Sequence, residues 1–134
     1  MKNCIIFCAA GFTGLAAPIG AEDLVIAADG GLAHTQTLGI TPDVILGDFD
    51  SLGYMPCDTE TITFPAEKDY PDMMLAVEEA VKRGFNDVVV YGALGGRLDH
   101  TIGNLQLIAY FSQRKISVRL LDDSIVIACV TDSR

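Results

Sequence analysis

Apolar residues occur in short, nearly continuous runs, separated by turns that contain glycine and aspartate. Apolar runs of about four to eight residues bounded by such turns are typical of strands buried on both faces. The last two runs are joined by a polar Asp122-Asp123-Ser124 turn and are predicted to form a β-hairpin. The pattern predicts strands at residues 4–9, 24–28, 44–46, 61–64, 88–91, 118–121 and 125–130.

Between these strands, apolar residues recur at helical spacing and predict helices at 31–38, 71–83 and 98–113. The clearest is 71–83, because Met74, Val77 and Val81 fall on one face. Strands that alternate with helices indicate a mostly parallel sheet covered by helices on both faces. We therefore expect an α/β fold, a Rossmann-like three-layer domain that ends in the hairpin.

Composition narrows the class of protein. The length of 134 residues suits one α/β domain, and the formal net charge of −9 disfavours nucleic acid as a partner. No CxxC pair occurs among the four cysteines, which are interpreted as reduced thiols of a cytoplasmic protein rather than zinc ligands. The apolar start is too short for the hydrophobic region of a signal sequence and too interrupted to span a membrane.

The candidate chemistry follows the ends of predicted strands. Gly11 and residues 29–31, 48–51 and 92–99 all come after an apolar run. In open parallel sheets, ligands bind beyond the carboxyl ends of the strands. The sequence therefore predicts one binding site at this edge of the sheet.

Asp48 and Asp50 form the first motif. Their spacing directs both carboxylates to the same side of an extended chain, where two like charges repel unless a cation lies between them. Magnesium takes oxygen ligands and usually binds one or two carboxylates together with substrate phosphates. Gly47 leaves room for a ligand to approach the backbone.

A second motif, around Asp69 and Asp72, leads into the helix predicted at 71–83. Pro71 suits a first helical position, so Asp69 is expected near the N-cap and Asp72 in the first turn. Capping explains one of these acids, and metal binding explains both. Lys68 is interpreted either as a phosphate contact or as a surface lysine.

The third motif, at 92–101, is a glycine-rich turn before a helix, and such a turn exposes backbone N–H groups to anions. Arg97 has the geometry for bidentate contacts to phosphate. Asp99 is predicted to cap the helix or to bind a metal. His100 and Asn104 are four residues apart and lie on one helix face.

Together these motifs resemble the thiamine pyrophosphokinase family in order and approximate spacing over nearly the whole chain. The matching stretches are Ala28-Asp29-Gly30-Gly31, residues 39–51, Lys68-Asp69 with Asp72, and Gly95-Gly96-Arg97-Leu98-Asp99-His100 with Asn104.

The resemblance implies a magnesium-dependent transferase that moves pyrophosphate from ATP to thiamine, giving thiamine diphosphate and AMP, and that works as a homodimer. It implies that Asp48, Asp69 and Asp99 are catalytic, with Asp69 or Asp99 as the base. The implied metal ligands are Asp48, Asp50, Asp69, Asp72 and Asp99. The implied nucleotide-binding residues are Gly11, Asp29, Gly30, Gly31, Lys68, Arg97, His100 and Asn104.

The chain departs from the family pattern in two ways. Pro71 replaces the usual Thr or Ser, which removes a hydroxyl contact. The family also has a C-terminal β-sandwich domain, and this chain is expected to end where that domain begins. We expect residues 1–116 to form the nucleotide- and metal-binding domain, and residues 117–134 to be the start of a truncated sandwich domain.

Two other functions fit the same residues. Asp48-Phe49-Asp50-Ser51 resembles the nucleophile motif of haloacid-dehalogenase-like phosphohydrolases, with Asp122-Asp123 as a late acidic pair. In that enzyme Asp48 would be phosphorylated. The chain is alternatively interpreted as a non-catalytic nucleotide-binding fragment.

Overall fold

The structure is a computed structural model, and it describes residues 3–8, 19–20, 22–47, 60–63, 72–93, 98–122 and 125–128. The strands are β1 (Cys4–Phe7), β2 (Leu24–Ala28), β3 (Val44–Gly47), β4 (Glu60–Thr63), β5 (Asp87–Tyr91), β6 (Ser117–Asp122) and β7 (Ile125–Ala128). A 3-10 turn at Asp29–Gly31 leads into α1 (Leu32–Leu38), and the longer helices are α2 (Asp72–Lys82) and α3 (Leu98–Gln113).

Within the described residues, seven strands form one sheet in the order β4-β3-β2-β1-β5-β6-β7. Each neighbouring pair is parallel except β6 and β7, which are antiparallel. The chain proceeds from β1 towards β4 on one side and continues through β5 and β6 on the other. This reversal beside β1 is where open α/β sheets form a ligand crevice.

One face of the sheet carries the larger core, which packs against α2 and α3. Ile6 and Val90 from the strands are fully buried with Val77 of α2 and Phe111 of α3. The apolar face predicted for the helix at 71–83 therefore packs against the sheet. Because both helices lead from one parallel strand to another, each begins at the carboxyl edge of the sheet.

The opposite face carries a smaller core near α1. Phe7 and Val25 pack there with the partly buried Leu38 and Ile40. Phe7 stacks on Tyr91 with ring centroids 5.5 Å apart, which joins the ends of β1 and β5. Helices thus cover both faces of the sheet, and the expected mixed α/β class is confirmed.

Several element boundaries differ from the predicted ones. β1 ends at Phe7 rather than at residue 9, although the N–H of Cys8 still donates to the carbonyl of Tyr91 at 2.8 Å. The first helix begins at Leu32 because Gly31 belongs to the 3-10 turn. Its predicted end is confirmed: Gly39 has a left-handed φ of 73°, and the following N–H, of Ile40, bonds to the carbonyl of Thr35.

The ends of three other predicted elements lie outside the described residues, namely Phe64, Pro71 and 129–130. β6 and β7 continue the one sheet. The assignment of residues 117–134 to the start of a further domain stays a prediction. In the described part of the chain, no helix has the length and apolar character needed to cross a membrane.

Cys4 is a fully buried core residue on β1, and Cys8 is partly buried against the same core. Burial raises the pKa of the Cys4 thiol to about 12, with a smaller contribution in the same direction from Asp43. The interpretation of these two cysteines as small core residues agrees with this environment.

The Cys4 thiol is expected to make the chain less stable at alkaline pH. The unfolded thiol ionises from its usual pKa of 9.0, while the folded thiol keeps its proton until about pH 12. Between these two pKa values the unfolded state therefore binds fewer protons than the folded state, and the free energy of unfolding falls as the pH rises. Urea unfolding of the native chain and of Cys4→Ala over that range should show a shallower decline in the variant. The cavity left by alanine lowers the free energy of unfolding equally at every pH and does not change its slope. Parallel declines in the two chains would therefore contradict the role given to the Cys4 thiol.

Candidate functional site

The described strand ends that carry predicted site residues lie together at the carboxyl edge of the sheet. The parallel registers align Phe7 with Ala27 and with Tyr91, and Ala28 with Leu46. The chain therefore leaves β1, β2, β3 and β5 from one edge. The 3-10 turn follows β2 there, and Gly92 follows β5.

Gly31 lies in backbone contact with the end of β1. A Cβ at this position would overlap the carbonyl group of Phe7 and would lie 3.0 Å from the backbone nitrogen of Cys8. Gly31 is buried, whereas Gly30 is exposed. Backbone packing is a role for Gly31 that the sequence motif did not reveal, and it places the 3-10 turn directly against β1.

The chain leaves β5 through a turn that requires glycine. Gly92 has a φ of 77°, in the left-handed region that residues with a side chain rarely adopt. Ala93 then returns to the core and is 4% exposed. The predicted anion-binding turn at 92–101 thus begins on a rigid, buried strand end.

Asn104, in the second turn of α3, reaches back to this strand end. Its side-chain Nδ2 donates to the carbonyl of Ala93 at 3.1 Å. The sequence motif groups Asn104 with the nucleotide-binding residues and does not reveal this bond. The signal for this bond in the sequence is a polar residue that lies one turn inside a helix and follows a glycine-containing turn.

Other predicted residues are placed by their position on the helices. Asp72 is the first residue of α2, and Asp99 and His100 are the second and third of α3. Asp29 opens the 3-10 turn. The helix starts therefore bring one acidic residue from each of two motifs to the same edge of the sheet.

The remaining predicted site residues lie outside the described residues, namely Gly11, Asp48, Asp50, Lys68, Asp69 and Arg97. In the ranges that the structure describes, no three His, Cys, Asp or Glu side chains are grouped so as to hold a metal ion. The predicted magnesium site draws on residues beyond those ranges and stays a prediction. As a donor set, five carboxylates fit a hard divalent cation such as Mg²⁺.

Two other aspartates support the amino edge of the sheet. Asp23 accepts hydrogen bonds from the backbone N–H groups of Asn3 at 2.8 Å and Gly20 at 2.7 Å. Asp43 accepts one from Val25 at 2.9 Å. Part of the acidic excess therefore binds the backbone at the edge opposite the candidate site.

Comparison with known proteins identifies the family. The sequence model described as "Thiamin pyrophosphokinase, catalytic domain" matches residues 17–120, which is well over half of the chain. The chain belongs to this family. The match includes every predicted site residue except Gly11.

Curated members of the thiamin pyrophosphokinase family are similar to this chain in sequence. Thiamine pyrophosphokinase from Bacillus subtilis (strain 168) is 32% identical over 105 residues, which are 74% of this chain and 49% of that protein. The chain thus spans about half the length of this curated relative.

Solved structures of the family have the same fold. The crystal structure of thiamine pyrophosphokinase from Bacillus subtilis has a TM-score of 0.76 at 26% identity, over 92% of this chain and 61% of that one. The enzyme from Geobacillus thermodenitrificans has a TM-score of 0.74 at 28% identity, over 91% and 60%.

Proposed function

We propose that this chain carries the nucleotide- and metal-binding half of a magnesium-dependent thiamine pyrophosphokinase. The reaction is transfer of pyrophosphate from ATP to thiamine, which gives thiamine diphosphate and AMP. The observation that carries the proposal is the match to the family's catalytic domain over residues 17–120. It is supported by the strand ends and helix starts that converge on one edge of the sheet.

In this proposal the acidic residues hold the magnesium–triphosphate unit. The metal ligands are Asp48, Asp50, Asp69, Asp72 and Asp99, and bound Mg²⁺ supplies positive charge against the phosphate oxygens. Gly11, Asp29, Gly30, Gly31, Lys68, Arg97, His100 and Asn104 surround the nucleotide.

The chain's own groups then position the reactants. The thiamine hydroxyl oxygen forms a bond to the β-phosphorus of ATP, and the bond from that phosphorus to the α,β-bridging oxygen breaks, so that AMP leaves. Asp69 or Asp99 accepts the hydroxyl proton. Arg97 and the N-terminal backbone of α3 bind the negative charge of the phosphates. Positioning and electrostatics are the main catalytic contributions in this class of reaction.

Further properties form part of the proposal. They are a three-layer Rossmann-like domain ending in a hairpin, a homodimer, a cytoplasmic location, and residues 117–134 as the beginning of a β-sandwich domain. The coverage supports the last of these, because the Bacillus subtilis relative is about twice as long as the matched region.

Calorimetry and product analysis test the proposed function. We expect the chain to bind ATP in the presence of Mg²⁺ and to lose that binding when excess EDTA removes the metal. AMP formation from ATP and thiamine, measured on the same preparation, distinguishes an enzyme from a non-catalytic nucleotide-binding fragment. The proposal fails if ATP does not bind with Mg²⁺ present. A beryllium fluoride adduct on Asp48 would instead support the phosphohydrolase hypothesis.

A further inference from the structure

Asn104 joins the start of α3 to the end of β5. Its Nδ2 donates to the Ala93 carbonyl at 3.1 Å, across eleven positions of the chain. Ala93 is buried and the bond itself is partly buried, so a carbonyl that loses this donor is less well solvated than an exposed one and is destabilised. Loss of this bond is therefore expected to change the conformation of the chain where it leaves β5.

The strand side of this bond is rigid. β5 pairs with β1 on one side and with β6 on the other, and Tyr91 stacks on Phe7. Gly92 then turns the chain with its φ of 77°. The Ala93 carbonyl thus lies two residues beyond the end of a strand that is paired on both sides.

The helix side is rigid as well. Asn104 lies on a helix of 16 residues whose Ile108 and Phe111 are buried in the main core. Residues 94–97, which include Gly95, Gly96 and Arg97, connect Ala93 to Leu98 at the start of this helix. The bond from Asn104 ties one end of this connection to the element that carries its other end.

We propose that Asn104 is a positioning residue for the nucleotide site and acts through the Ala93 carbonyl. The bond fixes the chain that leaves β5 against the second turn of α3, and so sets Ala93 relative to the helix start at Leu98, between which the 94–97 connection lies in the sequence. This inference rests on the proposed function, in which that connection binds the phosphates of ATP. Residues that are already held in place beside a ligand raise affinity, because less conformational entropy is lost on binding.

Two variants of Asn104 and one matched control test the proposal. Asn104→Leu removes the donor at nearly constant size, and Asn104→Asp removes it while adding a charge. Gln106→Glu makes the same amide-to-carboxylate change on an exposed residue of the same helix. Mg-ATP affinity is measured by calorimetry well below the melting temperature of each chain. Backbone NMR resonances of residues 92–97 are compared without nucleotide.

Both Asn104 variants are expected to weaken Mg-ATP binding about tenfold, the effect of losing one hydrogen bond, while Gln106→Glu stays within about twofold. The 92–97 resonances should shift in the two Asn104 variants before any nucleotide is added. Native affinity in the Asn104 variants would overturn the proposal and remove Asn104 from the nucleotide-binding residues, while the proposed reaction would stand. Weaker binding with unshifted 92–97 resonances would also overturn it, since Asn104 would then contact the nucleotide directly. A native chain that fails to bind Mg-ATP would overturn both.

Discussion

Replacing Gly31 with alanine is expected to lower the free energy of unfolding by about 3 kcal/mol or more, an effect at the upper end of those caused by overpacking. The added methyl group would overlap the backbone carbonyl of Phe7. That carbonyl cannot rotate away as a side chain could, because β1 is held between β2 and β5 in the centre of the sheet. Either the 3-10 turn or the strand end has to move.

Gly103→Ala is the matched control for this prediction. Gly103 lies inside α3, and a Cβ there meets nothing within 4 Å. Alanine is favoured over glycine in a helix by about 1 kcal/mol, so this variant should be slightly more stable than the native chain. Urea denaturation followed by circular dichroism measures both effects. Equal stability of Gly31→Ala and the native chain would show that the turn does not contact β1 so closely.

Asp48→Asn is expected to reduce AMP formation at least about a hundredfold, because it removes a ligand of the metal whose charge stabilises the reacting phosphates. The amide keeps the shape of the side chain and loses the charge that holds the metal. Binding of Mg-ATP should weaken as well, and higher Mg²⁺ concentrations should partly restore it. The reaction rate and its dependence on Mg²⁺ are measured together, on a preparation whose native form makes AMP.

Asp87→Asn provides the control for charge. Asp87 is the first residue of β5, at the edge of the sheet opposite the proposed site, and its substitution changes the net charge by the same amount. We expect its activity and its magnesium requirement to match those of the native chain. If Asp48→Asn keeps the native rate and the native magnesium requirement, the acidic site has been assigned to the wrong residues.

The sequence predicted the strands and helices well where periodicity was strong. Residues 98–113 were predicted as a helix with the bounds that α3 has, and Gly39 ends α1 as expected. β1 ends earlier than its apolar run suggests. Hydrophobicity continues past Phe7, but regular strand pairing does not. Apolar runs report burial, whereas the end of a strand depends on the partners available to it.

The candidate site was predictable only as a set of motifs. The position of Asp72 and Asp99 at helix starts follows from local helix signals that the sequence contains. The contact of Gly31 with β1 was not predictable, because a glycine in a turn looks the same whether its missing side chain provides space or backbone freedom. The bond from Asn104 to Ala93 was missed for a related reason, since an amide that bonds to a backbone carbonyl and one that faces solvent have the same sequence.

The amino-acid sequence was sufficient to predict the alternation of strands and helices, the residue that ends α1, and the acidic and glycine-rich motifs. These are local properties, set by side-chain periodicity and by the conformations that each residue allows. The strand order follows only from the tertiary structure. So do the hydrogen bonds that Asp23 and Asp43 accept from the backbone at one edge, and the close packing of Gly31 and the Asn104 hydrogen bond at the other. Each of these features joins residues distant along the chain, and such contacts form only when the sheet brings them together.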